Sequence, residues 1–216
     1  MNEERAHILR AAATERGPPL NRSSHLQVRS MGKKLSEMTL EELWQLFPIV
    51  LVEHQDCWQT WYSEEETLLK NAIPNMHRIS HIGSTAIPAI RAKPIIDILV
   101  EIPRESNLLD CKDSILANGY LCMSQSGTRL SFNKGYTENG FAERVFHLHL
   151  RHAGDNDELY FRDYLIEFPE IAEAYEKLKL SLWKKHEHDR DAYTNAKTDF
   201  VKKHTEQAKL LYGNRY

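Results

Sequence analysis

Apolar positions recur at helical spacing at both ends of the chain and at strand spacing in its middle. Thr39, a good N-cap, precedes LEELWQLF, and Pro48 closes that helix. IVLVEH (residues 49–54) reads as a short β-rich run. In CWQTWYSEEETLLKNAI, positions Trp58, Trp61, Tyr62, Glu65, Leu68 and Leu69 fall on one helical face, and Pro74 ends it. Residues 77–82 read as a strand entering a Gly83-Ser84 turn that opens a helix, and residues 95–102 as the clearest strand of the chain. Residues 108–118 read as a helix closed by Gly119. Residues 128–133 and 142–152 alternate as half-buried strands do. A helical tail follows in two pieces. Pro169 opens one with Ile171, Tyr175, Leu178 and Leu182 on a stripe, and residues 191–211 place Tyr193, Ala196, Phe200 and Leu211 on another.

This order predicts an α/β (α+β) protein: a small mixed β-sheet with flanking helices and a C-terminal helical segment. The expected division is a flexible N-terminal extension over residues 1–34, an α/β core over 35–154, and a helical segment over 155–216 packed on that core, as one domain overall. The extension is assigned on composition, being Arg-, Ala- and Ser-rich and broken by Gly17-Pro18-Pro19.

Composition narrows the class. With 41% hydrophobic and 27% charged residues the chain is an ordinary globular one, and no apolar run approaches membrane-spanning length. The net charge of -3, with both signs interspersed, makes nucleic acid an unexpected partner. Three cysteines without CxxC spacing argue for a reducing cytoplasm and against a disulfide scaffold or structural zinc.

Splitting each strand into its two faces concentrates the chemistry. Ile96, Ile98, Val100 and Ile102 share one face, and Ile95, Asp97, Leu99 and Glu101 the other. In the later strand Phe146, Leu148 and Leu150 oppose Glu143, Val145, His147, His149 and Arg151. Leu130 and Phe132 oppose Arg129, Ser131 and Asn133. If these strands are neighbours, Asp97, Glu101, His147, His149 and Arg129 converge on one face. The plainer alternative is a solvated polar face. Against it stands Asp97, an isolated charge between isoleucines, which needs a partner or a cation if buried.

The Gly83-Ser84 turn offers close backbone approach and an N-cap, features that suit phosphate, although it is neither a Walker A loop nor GxGxxG. Lys93, held extended by Pro94, is a further phosphate candidate, and so is Lys197, one turn after Tyr193 on an inward stripe. A solvated or snorkelling lysine is the alternative for each.

The stretch HIGSTAIPAIRAKPIIDI resembles the signature of the GrpB family, bacterial proteins similar to the nucleotidyltransferase superfamily. The resemblance is specific over residues 79–102. In outline it covers most of 48–208, through VEHQDCW, VFHLHL, FRDYLIEFPEIAEAYEKLKLSL and DAYTNAKTDFVKKH. It implies a nucleotidyltransferase-like core in which the Gly-Ser turn (Gly83, Ser84 and the adjoining Thr85) binds nucleotide phosphates. In active members of the superfamily two carboxylates at i and i+2 on the next strand hold divalent metal. Asp97 matches the first. The second falls on Leu99, a departure that puts two-metal chemistry in doubt.

Glu101 is about 13 Å further along the strand, long for a shared ion. His147 and His149 are then expected to complete a metal set of Asp97, Glu101, His147 and His149, or to act as bases with Asp97. The cation would be Mg or Mn, with Zn as an option because imidazole suits it. Three functions follow as expectations. The first is nucleotidyl transfer from a bound nucleoside triphosphate to an unknown acceptor. The second is a non-catalytic nucleotide- or protein-binding member of the fold, which Leu99 favours. The third is a hydrolase with a His/Asp metal centre.

Overall fold

The computed structural model describes residues 33–216. The extension expected over 1–34 therefore lies outside the described residues, save its last two positions. A 3-10 turn (Leu35–Glu37) leads into helix α1 (Leu40–Leu46). Thr39 caps α1 as expected: its Oγ1 accepts from the Glu42 amide at 3.2 Å, and the Glu42 carboxylate accepts from the Thr39 amide at 2.8 Å. Helix α2 (Cys57–Ala72) precedes strands β1 (Arg78–Ile82) and β2 (Ile96–Ile102). Helix α3 (Lys112–Ala117) precedes β3 (Leu121–Gln125), β4 (Arg129–Thr137) and β5 (Gly140–His152). Four helices close the chain: α4 (Asp157–Glu167), α5 (Pro169–Trp183), α6 (Arg190–Asn195) and α7 (Thr198–Tyr212).

The sheet is mixed, with order β1-β2-β5-β4-β3. Among the described residues only β2 and β5 run parallel, and the other strand pairings are antiparallel. β2 thus lies between two strands, and Asp97 sits on an interior strand. One face is apolar: Ile96, Ile98, Val100, Leu130, Phe132, Leu148 and Leu150 pack beneath Trp58, Tyr62 and Leu69 of α2. Apolar burial on this face is the main source of stability. The other face receives α4, whose Leu159 packs on Ile82 and Leu99. Leu165, Ala172 and Tyr175 from α4 and α5 cluster with Ile87 and Ile90, which follow the Gly83-Ser84 turn. The helical segment is thereby fixed against the loop between β1 and β2.

The structure departs from the sequence pattern in several places. Residues 49–54 form no strand; Val52 makes one isolated bridge with Ala92. The run is drawn to the C-terminal helices instead, since the Ile49 amide donates to the Glu187 carbonyl at 2.8 Å and its carbonyl accepts from the Trp183 indole at 2.6 Å. The Gly83-Ser84 turn opens no α-helix, only a 3-10 turn (Ser84–Ala86). Pro88 explains this: it forces Ile87 into the extended region (φ -114°, ψ 108°) and has no N–H to continue a helix. Edge strand β3 lacks the alternation that would reveal it. The tail holds four helices, and the break between α6 and α7 takes Leu211 off the inward stripe, leaving it 56% exposed.

Candidate functional site

Strand register assembles the site. Ile82 is opposite Asp97, so β1 delivers the Gly83-Ser84 turn beside that carboxylate. Across the parallel pairing Asp97 is opposite His147 and Leu99 opposite His149. His147 Nδ1 lies 3.2 Å from Asp97 Oδ1, and His149 Nε2 lies 3.8 Å from it. Gly83 has φ +71°, and a side chain there would put Cβ 2.4 Å from Asp97 Oδ2. Only glycine permits both that dihedral and that approach. Together these groups line the floor of a cavity of about 720 Å³ walled by α4, α5, α6 and α7.

A directed chain of hydrogen bonds runs toward Asp97. Arg190 Nη1 donates to Tyr136 Oη at 2.9 Å, and Tyr136 Oη lies 2.9 Å from His147 Nε2. An ionised carboxylate can only accept, so Asp97 draws the His147 ring proton to Nδ1 and leaves Nε2 to accept from the Tyr136 phenol. Arg151 Nη2 lies 3.4 Å from His149 Nδ1 and can only donate, which leaves the His149 proton on Nε2, facing Asp97 Oδ1 at 3.8 Å, beyond hydrogen-bond reach. Burial raises the Tyr136 phenol, so it keeps its proton. Burial pushes His147 down to about 4, against the pull of Asp97, making it a neutral imidazole at physiological pH. For Asp97 burial acts upward, but the His147 and His149 N–H groups outweigh it and hold the carboxyl well below its usual range.

Cations surround this one carboxylate. Lys93 and Lys197 both line the cavity, with ammonium groups 5.8 and 4.1 Å from the Tyr193 ring centre. Neither has a hydrogen-bond or salt-bridge partner among the described residues. Burial pushes Lys93 down to about 7, with Arg190 and Lys197 adding to the effect, and pushes Lys197 down to about 8. The Tyr193 hydroxyl is buried without a hydrogen-bond partner among the described residues. Lys179 of α5 reaches Ser84 Oγ at 3.1 Å and the Arg91 carbonyl, tying the helical segment to the Gly-Ser turn.

The structure does not bring every predicted residue here. Glu101 shares the Asp97 face but is fully buried elsewhere: it pairs with Arg78 at 2.7 Å and accepts from the Gly154 amide at 2.9 Å and the Asn156 amide group at 3.0 Å. It anchors the turn after β5 and does not meet Asp97. Arg129 forms a two-bond pair with Asp155, away from the cavity lining. Thr85 lies at the cavity, but its hydroxyl donates to the Ile95 carbonyl at 3.2 Å and meets His81 Nε2 at 3.0 Å, so it stabilises the turn and is not free for phosphate. Conversely, the sequence reading overlooked Lys179, Tyr136 and Arg190. Lys179 did carry a signal, lying four residues after Tyr175 on the inward stripe of its helix.

The sequence model of the family described as GrpB protein matches residues 48–207. The chain belongs to the GrpB family. It is 31% identical over 183 residues to UPF0157 protein YqkA of Bacillus subtilis, covering 82% of this chain and 52% of that protein. The chain thus spans about half the length of that relative. It is 34% identical over 160 residues to Glutamate-rich protein GrpB of Alkalihalophilus pseudofirmus, covering 71% and 91% respectively. Among solved structures it is similar to GrpB from Enterococcus faecalis, with a TM-score of 0.65 and 29% identity over 76% of this chain and 99% of that one. A more distant likeness, TM-score 0.45 at 12% identity over 68% of this chain and 45% of the other, is to the Cid1 poly(U) polymerase and concerns the fold alone.

The divalent cation expected on Asp97, Glu101, His147 and His149 does not fit these residues. Among the described residues no group of three or more His, Cys, Asp or Glu side chains is arranged to hold a metal ion. Glu101 is engaged elsewhere. Leu99, at the second carboxylate position, is 1% exposed and packed under Leu159. What the site offers is a cavity with one half-buried carboxylate, the half-buried Lys93 and Lys197, the buried Lys179, and aromatic walls from Tyr175, Tyr193 and Phe161.

Proposed function

We propose that this GrpB-family chain binds a nucleotide in the cavity between the sheet and the C-terminal helices. The phosphates seat on Lys93 and Lys197 beside the Gly83-Ser84 turn, and the base lies against the tyrosine walls. The observation that carries this reading is the pair of half-buried, cavity-lining ammonium groups that meet the Tyr193 ring but no hydrogen-bond or salt-bridge partner among the described residues. Desolvating a lysine is costly unless an anion compensates, and a phosphate in the cavity supplies that anion. A cavity of about 720 Å³ is of the size that small-molecule ligands occupy. Lys179 holds Ser84 in place and adds positive charge behind the turn. The reading stops at binding. Nucleotidyl transfer draws on a carboxylate pair that Leu99 and Glu101 do not provide, and a His/Asp metal hydrolase draws on imidazole lone pairs that His147 and His149 do not turn to Asp97.

Isothermal calorimetry with ATP, GTP, CTP, UTP and adenosine tests it. Triphosphates are expected to bind, adenosine to bind far more weakly, and Lys197→Met to weaken triphosphate binding about tenfold or more, the loss of one charged contact. No pyrophosphate is expected to be released from any of them. Absence of binding by every nucleotide refutes the proposal. Pyrophosphate release dependent on Asp97 would restore the transferase reading.

A further inference from the structure

Histidines that ligate a metal turn one nitrogen lone pair to the ion and donate their other N–H to an acceptor, which fixes the ring and raises its basicity. Here the far nitrogens face donors. Tyr136, held by Arg190, addresses His147 Nε2, and Arg151 addresses His149 Nδ1. The near nitrogens consequently carry protons: His147 Nδ1 lies 3.2 Å from Asp97 Oδ1, within hydrogen-bond reach, and His149 Nε2 faces the same oxygen at 3.8 Å. The second oxygen, Oδ2, lies against Gly83. A cation entering this position would meet N–H groups rather than lone pairs, and an electrostatic field made positive by Lys93, Lys197 and Arg190.

Resting on the nucleotide-binding reading above, we infer that the pocket takes its phosphorylated ligand as the free anion, without a divalent cation. Lys93 and Lys197 supply the counter-charge that a metal ion supplies in a two-carboxylate site. Asp97, hydrogen-bonded by the His147 N–H and faced by His149, serves to organise the floor of the pocket. Magnesium would then oppose binding, because a chelated triphosphate presents less negative charge to the lysines.

Calorimetry of ATP and of tripolyphosphate in EDTA, and again in excess Mg²⁺ or Mn²⁺, decides the matter. Affinity in EDTA is expected to equal or exceed that in Mg²⁺, and Lys93→Met and Lys197→Met are each expected to weaken EDTA binding about tenfold. Binding that requires Mg²⁺ or Mn²⁺ overturns this inference alone and leaves nucleotide binding standing. No binding under either condition overturns both. A second readout needs no nucleotide: ¹⁵N spectra of the imidazoles in the ligand-free protein should show His147 protonated at Nδ1 and His149 at Nε2. Stoichiometric broadening of these signals by Mn²⁺, abolished in Asp97→Asn, would place a cation on the carboxylate and refute the inference.

Discussion

Raising the pH from 7 to 9 should stabilise the free protein and weaken its hold on a nucleotide. Lys93, Lys179 and Lys197 ordinarily titrate near 10.5, and burial lowers them to about 7, 7 and 8. The groups facing them are Arg190 and Asp97 at Lys93, Glu176 at Lys179, Asp97 at Lys197, and one another. Because the folded pKa values are depressed, the unfolded chain binds more protons between about pH 7 and 10.5. The penalty of burying charged lysines is full below pH 7 and fades as pH rises, so stability climbs through that window. Allowing for partial hydration, each of Lys93 and Lys179 contributes a gain of about 1–2 kcal/mol between pH 7 and 9.

Binding runs the other way. A group titrating near 7 is half protonated at pH 7 and about one-hundredth protonated at pH 9, so a phosphate requiring the Lys93 ammonium loses about fiftyfold in affinity. Lys197 adds about tenfold, for a combined ceiling of about five-hundredfold. The ligand's own phosphates, with a second pKa of about 6, are already ionised. Urea unfolding of the free protein and calorimetry with ATP at pH 7, 8 and 9 measure both trends, and proton uptake on binding appears as a buffer-dependent enthalpy. Stability that is flat or falling over this range, or affinity that rises, would refute the reasoning.

Two substitutions probe the neighbouring assignments. Glu101→Gln should destabilise the fold by about 3 kcal/mol, since it leaves Arg78 without its buried counter-charge, while ATP affinity stays within about twofold. A selective loss of binding with stability intact would return Glu101 to the site. Gly83→Ala should cost about 2 kcal/mol or more in urea unfolding, from the positive φ and the clash with Asp97, and should weaken ATP binding as well. An unchanged variant would show that Asp97 does not rest against the turn.

Face-sorting of β2 and β5 brought Asp97, His147 and His149 together in advance, because parallel register converts alternation along each strand into neighbours across the pair. The strand expected over residues 128–133 stops short of Tyr136, and extending it would not find this residue. Simple alternation would place it with Lys134 on the α2 side, but the register shifts between Lys134 and Tyr136, where Gly135 has φ +92° and approaches the Arg144 carbonyl too closely for any side chain. This bulge turns Tyr136 over to meet His147. Glu101 also obeyed its face and still missed the site, because a face extends along the whole strand and a cavity does not. Arg190 lies in a polar run, KKHEHDRD, where no periodicity separates an inward cation from a solvated one. The Gly-Ser turn was misread as a helix start because Pro88 was not weighed against it.

Leu99 sets packing against metal binding at one position. It is the apolar seat on which Leu159 holds α4 to the sheet, and α4 forms one wall of the cavity. Leu99→Asp would bury an ionisable group at a position 1% exposed and remove that seat, costing several kcal/mol of the 5–15 kcal/mol typical of a whole domain. An acidic side chain at this position would therefore loosen the pocket wall as it offered a metal ligand. The packing that closes the cavity and the charge that a second metal ligand needs compete for the same residue.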